Sequence, residues 1–290
     1  MFKTRLISGI ILIALALATI LPGGLPLLLM VGFISVVGML EFYGAMNVIR
    51  RNKAQVPAAG KEYEAKDPDA LKSQVKEPMN ALAAAGLVGA VNYLVLIAYA
   101  PKPYYLFGVV GTLTLLLAVY VFTFPRFHAD QVVAAFAGMV YVAVTLGFIY
   151  LTRMAYDGHV LVWLIFLSSW GADTCAYCLG RLLGRHKMAP ILSPKKSVEG
   201  AVGGVLGAGL LGLAYGTYLG RQGWIYFLIC SVGALISMVG DLAASAIKRD
   251  KGIKDYGDLI PGHGGILDRF DSVIFTAPVI YFLSILLIRV

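Results

Sequence analysis

Ala81–Ala100 reads ALAAAGLVGAVNYLVLIAYA, and after Pro101-Lys102-Pro103 the chain resumes as Tyr104–Phe122, YYLFGVVGTLTLLLAVYVF. A helix needs about 20 predominantly apolar residues to cross the hydrocarbon core of a bilayer. Both runs have that length, and the proline pair between them marks a tight turn from one span to the next. Applied outward, the same ruler adds Leu6–Leu21, Leu25–Val48, Val132–Leu151, Val160–Leu179, Ala201–Leu219, Trp224–Ile247 and Ser272–Ile288. The expected fold is all-α: a polytopic integral membrane protein of about nine transmembrane helices.

Composition agrees. Of 290 residues, 59% are hydrophobic and 14% charged, against roughly a quarter charged in soluble domains. A soluble globular chain is excluded. In a soluble domain the net charge of +8 would suggest nucleic acid; here it reflects loops facing anionic headgroups, so a lipid bilayer is expected as partner and nucleic acid is not. With the N-terminus cytoplasmic, 20 of the 24 Lys and Arg residues lie on that side, and only Lys102, Arg153, Arg221 and Arg289 lie opposite. The three cysteines make no even framework, and Cys175 and Cys178, a CxxC on a predicted span, have no second ligand pair. They read as buried thiols. Lys3 and Arg5 before an apolar run with Ala16 and Ala18 resemble a signal peptide, but the apolar character continues to Leu21, which favours an uncleaved first span.

This organisation divides the chain at about residue 152. Residues 1–152 carry five spans and a polar connection, 50–78, in which no chemistry is evident. Residues 153–290 carry four spans and two cytoplasmic loops, 180–200 and 248–270. No internal repeat is evident.

The chemistry concentrates in Ser245–Asp271, SAIKRDKGIKDYGDLIPGHGGILDRFD. Lys248, Arg249, Lys251, Lys254 and Arg269 stand there among Asp250, Asp255, Asp258, Asp268 and Asp271, with five glycines, Pro261 and His263. Glycines let a backbone turn its N–H groups toward an anion, cations neutralise phosphate, and closely spaced carboxylates can hold a divalent metal. A solvated loop obeying the positive-inside rule is the plain alternative. Against it, the carboxylates sit at helical spacing on the edges of apolar segments. The second loop contains SPKKS, where Lys195 and Lys196 suit a phosphate or simple anchoring, and Ser197 with Glu199 suits a helix start near Val198.

Carboxylates in membrane spans are site hypotheses by default. Asp241, Ser245 and Lys248 share one helix face; Asp268 and Asp271 share another if the last helix begins by Leu267; Ser169, Asp173, Tyr177 and Arg181 recur every four residues. Three such stripes carry more carboxylates than salt bridges need, which points to a metal-holding cavity. Glu41 opens EFYGAMN without an evident partner and reads as lying near the interface.

Ser245–Asp271 resembles the signature of the phosphatidate cytidylyltransferases (CDP-diacylglycerol synthases). Its fixed positions are met by Ser245, Lys248, Arg249, Lys254, Asp255, Gly257, Pro261, His263, Gly264, Gly265, Asp268, Arg269 and Asp271. The likeness extends to Asp173, Ala176 and Tyr177, to SPKKSVEG, and to Gly240-Asp241, and so covers roughly 165–290. The first 160 residues match only as a run of spans, and the 50–78 connection is not part of the pattern.

The resemblance implies condensation of CTP with phosphatidic acid to CDP-diacylglycerol and pyrophosphate, by a multi-span homodimer using Mg²⁺ and a companion K⁺. It implies metal-holding carboxylates at Asp241 and Asp268, with Asp271 beside them. Lys248, Arg249 and His263 are then expected to serve the chemistry. Lys195, Lys196, Ser197, Lys254, Gly264, Gly265, Arg269, Ser245, Asp173 and Tyr177 are expected to bind substrate and phosphate. His263 suits pyrophosphate binding or proton donation, and both stay open. A bacterial inner membrane, with the site on its cytoplasmic face, is the expected location. A transporter predicts repeat symmetry and midplane polar groups, neither of which is evident. A CDP-alcohol phosphotransferase would need a D-G-x-x-A-R motif that is absent. A CTP-dependent lipid kinase differs in transferring the γ-phosphate.

Overall fold

A computed structural model describes residues 2–49, 79–260 and 264–288; the 50–78 connection and His263 lie outside the described residues. Among the described residues the helices are α1 Phe2–Ile20, α2 Gly24–Ala45, α3 Ala81–Tyr99 and α4 Pro103–Phe122, then α5 Ala129–Met154, α6 Gly158–Leu183, α7 Val198–Tyr218, α8 Gly223–Asp250 and α9 Leu267–Ile288. Each expected span coincides with one of them. The largest displacement is in α9, which begins at Leu267 rather than Ser272. Eight of these helices are long and apolar enough to cross a membrane; in α1 the apolar part, Ile11–Ile20, is shorter. The chain is an all-α polytopic membrane protein with one small addition. Lys187–Ala189 (β1) and Ser193–Ser197 (β2) form an antiparallel hairpin that pairs Lys187 with Ser197 and Ala189 with Ser193.

The chain divides into two compact units. One comprises Met1–Ser8, Gly32–Val144 and Ile247–Arg269; the other comprises Gly9–Val31, Thr145–Ala246 and Phe270–Val290.

In the first unit, fully buried Tyr43 of α2 donates its hydroxyl to the Ala135 carbonyl of α5 at 2.9 Å. Its ring lies where side chains at Gly86 of α3 and Gly138 of α5 would otherwise stand. Two small residues thus admit one large aromatic, which substitutes for the packing that water cannot drive inside lipid. Asn80 starts α3 by accepting from Ala83 N–H at 2.8 Å, and its amide donates to Val48 carbonyl at 2.6 Å.

The second unit is built on the glycines of α7. Gly200, Gly203, Gly204 and Gly207 close against α6 at Ala176, Leu179, Ala172 and Cys175, while Gly209, Gly212 and Gly216 close against α8 at Phe227, Cys230 and Tyr226. Small residues at these spacings let backbones approach closely. On α8, Gly240 meets the Asp271 carbonyl and Phe275 of α9. Arg153 ends α1 by donating to the Ile20 and Leu21 carbonyls, each at 2.8 Å.

Candidate active site

The expected site residues fall into two clusters, one within each unit. The first forms where α8 ends. Gly252 has a positive φ, its N–H reaches Arg249 carbonyl at 3.1 Å, and Ile253 N–H reaches Lys248 carbonyl at 2.9 Å. This pair of bonds is the Schellman stop that a left-handed glycine permits. The chain then turns back toward Asp268 in the first turn of α9. Lys248 Nζ donates to Asp268 Oδ1 at 2.8 Å, while the backbone N–H groups of Tyr256 and Gly265 donate to Oδ2 at 2.8 and 3.1 Å. The side chains of Lys248 and Asp268 are only 11% and 4% exposed. A buried ion pair is stable only when further hydrogen bonds satisfy it, and here the two backbone donors do so. Lys248 also lies 5.4 Å from the centroid of the Tyr256 ring. Arg249, Lys254 and Arg269 are exposed, as are Asp255 and Asp258.

Glu41 belongs to this cluster, and the sequence did not reveal it. It is 4% exposed. Its Oε1 accepts from Ile266 N–H at 3.0 Å and its Oε2 from Leu267 N–H at 2.8 Å. A carboxylate at the first turn of α9 satisfies orphan helix donors and meets the positive end of the helix dipole. Glu41 shows no evident partner along the sequence because its partners lie more than two hundred residues further along the chain. A signal was available in its chemistry, because an acid in an apolar segment must be paired. Gly265 is also engaged within this cluster. Its N–H is directed at Asp268, and a side chain there would strike the Glu41 carboxylate.

The second cluster surrounds a cavity of about 500 Å³ lined by Asp173, Tyr177 and Arg181 of α6 and by Lys195, Lys196 and Ser197 of the hairpin, with Met188 and Met238 among its apolar walls. Its size is that of a small-molecule site. Three cations face one carboxylate, which suits an anionic ligand. Of the stripe expected on α6, Asp173, Tyr177 and Arg181 line the cavity, and Arg181 Nη1 donates to the Tyr177 hydroxyl at 3.2 Å. Ser169 does not line it; buried in a π-helical turn, it donates to the Ile165 carbonyl at 2.8 Å. Lys196 pairs with Asp241 of α8. Ser245 is half-buried on the same helix, and buried Asp271 accepts from Ser272 N–H at 2.8 Å.

Ser197 is the N-cap of α7, accepting from Gly200 N–H at 3.2 Å. Glu199 accepts from Arg185 N–H at 3.0 Å and meets His186 Nδ1 at 2.5 Å, tying the hairpin to the helix start. Ser197→Ala is expected to lower stability by about 1 kcal/mol, read as a lower thermal midpoint of the detergent-solubilised protein. An unchanged midpoint would mean the cap contributes nothing.

Among the described residues no three His, Cys, Asp or Glu side chains come together as a metal-holding group. Asp268 receives three donors, Lys248, Tyr256 and Gly265. A carboxylate has about four acceptor sites, so three donors leave one acceptor site on Asp268.

The family model described as the cytidylyltransferase family matches residues 3–287. This chain belongs to that family. A Staphylococcus aureus relative named phosphatidate cytidylyltransferase is 30% identical over 294 residues, covering 99% of each chain. A Staphylococcus epidermidis protein of the same name is 42% identical over 158 residues, which is 54% of this chain and 60% of that one. One from Synechocystis is 48% identical over 138 residues, 46% of each. In these two local matches the chain spans 60% or less of the relative's length. The family match reaches far beyond the 165–290 region that carries the motifs, and it takes in Glu41.

Proposed function

We propose that this chain transfers the cytidylyl group of CTP to phosphatidic acid, forming CDP-diacylglycerol and releasing pyrophosphate. The observation that carries the reading is the convergence of the signature stretch on one atom group: Lys248, Tyr256 and Gly265 all donate to the carboxylate of Asp268. Membership of the cytidylyltransferase family supports it.

In the reaction a phosphatidate oxygen attacks the α-phosphorus of CTP, a new P–O bond forms, and the bond to the β-phosphate breaks in line. Two anions must approach, so positioning and charge neutralisation are the main catalytic work. No strong base is required, because a phosphomonoester is largely ionised near neutral pH, its second pKa being about 6. Arg181, Lys195 and Lys196 would hold phosphate in the cavity, with Asp173, Tyr177 and Ser197 on its walls. Arg249, Lys254 and Arg269 would supply solvent-facing positive charge, and Gly264 would turn backbone toward the ligand. Ser245 would line the path on α8, and His263 would bind pyrophosphate or donate a proton.

Hard oxygen donors suit Mg²⁺; Asp268 would hold it, with K⁺ as companion, and when bound it would neutralise nucleotide phosphates. We further propose a homodimer in a bacterial inner membrane with the site on the cytoplasmic face, which leaves acyl chains in lipid while CTP arrives from water.

The test is detergent-purified protein with phosphatidic acid, Mg²⁺, and CTP labelled separately at the α- and γ-phosphates. The expected result is α-label in lipid with pyrophosphate released. γ-Label in lipid would make the chain a lipid kinase, and no label in lipid would overturn the reading.

A further inference from the structure

Glu41 stands on α2, in the Gly32–Val144 part of the same unit that contains Ile247–Arg269. We infer that Glu41 is a positioning residue for the cytidylyl transfer proposed above, holding the 264–267 backbone in the shape that presents Asp268 to Lys248; the inference rests on that reading for its kinetic part only.

The argument starts from how the segment is pinned. Among the described residues between the end of α8 and the start of α9 the one β-pairing is an isolated bridge between Ile260 and Gly264, whose φ is +86°. Such a segment keeps one shape only if other groups hold it. Two carboxylates do so, on neighbouring peptides. Asp268 takes the N–H groups of Tyr256 and Gly265; Glu41 takes those of the next two residues, Ile266 and Leu267. Three successive N–H groups, 265 to 267, are thus shared between two acids.

The packing is equally specific. A Cβ on Gly265 would lie 2.5 Å from Glu41 Oε2, and one on Gly257 would lie 2.8 Å from its carboxyl carbon. Both glycines are therefore absent of side chain where Glu41 enters the loop. Their role in the signature stretch is to admit this carboxylate as well as any ligand. Glu41 acts on Asp268 and Lys248 through the backbone it holds, at Ile266 and Leu267 immediately before Asp268.

Glutamine is the informative replacement. It has nearly the shape of glutamate, but one end of the amide carries hydrogens where a backbone N–H requires an acceptor. One of the two bonds becomes a donor facing a donor. Aspartate keeps two acceptors on a shorter stem.

The experiment uses the full chain in detergent, with Glu41→Gln, Glu41→Asp and a thermal-unfolding control. For Glu41→Gln, kcat is expected to fall about 10²-fold, as a small misplacement of a catalytic group can cause, with KM for CTP within about threefold of the unmodified protein. Amide hydrogen exchange at 256–267 is expected to speed up at least about tenfold while 81–99 is unchanged, as for local opening. Glu41→Asp recovers part of both. An unchanged kcat overturns the proposal. So does a loss of kcat without faster local exchange, or exchange that accelerates throughout with a fallen midpoint, which is a merely structural role. If the unmodified protein transfers no cytidylyl group, the proposed function fails, and the exchange measurement alone still decides whether Glu41 holds the loop.

Discussion

Asp268→Asn is expected to abolish turnover, lowering kcat by at least about 10³-fold while the protein still folds. Asparagine keeps one carbonyl oxygen, which can go on accepting from Tyr256 and Gly265 N–H, so the loop stays attached. What it loses is the charge. Its amide turns a donor toward Lys248, whose buried ammonium loses the charge of this partner, and one acceptor site for a cation is gone. Size-exclusion behaviour and the thermal midpoint check the fold, and initial rates over a Mg²⁺ titration check the chemistry. A near-normal rate at saturating Mg²⁺ would show that the carboxylate neither holds a metal nor organises Lys248 for transfer.

Gly265→Ala should reduce kcat by roughly 10²-fold, comparable to a misplaced catalytic group. The new Cβ would stand 2.5 and 2.6 Å from the two Glu41 oxygens, distances that no relaxed contact sustains. Glu41 cannot withdraw without releasing Ile266 and Leu267 N–H, and the loop cannot shift without disturbing the Asp268 bonds. Gly264→Ala is a useful contrast. There the nearest atom is Asp268 Oδ2 at 3.2 Å and the difficulty is the positive φ, so strain rather than collision sets the effect. The decisive comparison is the double variant Glu41→Ala with Gly265→Ala. Residues in contact couple, so its loss should be smaller than the product of the two single losses. Independent, multiplying losses would mean that Gly265 answers to something other than Glu41.

Apolar run length placed the helices. α3 and α4 begin and end within a residue of the runs Ala81–Ala100 and Tyr104–Phe122, because a span must bury every backbone polar group within itself and helix does this locally. The same ruler set the start of α9 too late, at Ser272. Asp268, Arg269 and Asp271 lower the hydropathy of a turn that is nonetheless helical, since a helix continues past its apolar stretch when its first N–H groups find acceptors. The β1–β2 hairpin is not legible in the sequence: three- and five-residue strands containing Pro194 and three lysines show no alternation strong enough to see.

For the site, helical spacing was enough to gather Asp173, Tyr177 and Arg181 on one stripe, and to set Asp268 beside Asp271 once a start at Leu267 was allowed. Both relations are local to one helix, which is why they could be read along the chain. The pairings of Lys196 with Asp241 and Lys248 with Asp268 join different elements, and the sequence offered several equally good cations for each acid. Glu41 is the extreme case. Its composition and position determined only that an acid in an apolar helix needs partners. Folding alone decided that these would be the N–H groups of Ile266 and Leu267, because a buried charge is satisfied by whatever donors tertiary packing brings within about 3 Å, and nothing in local sequence encodes that distance.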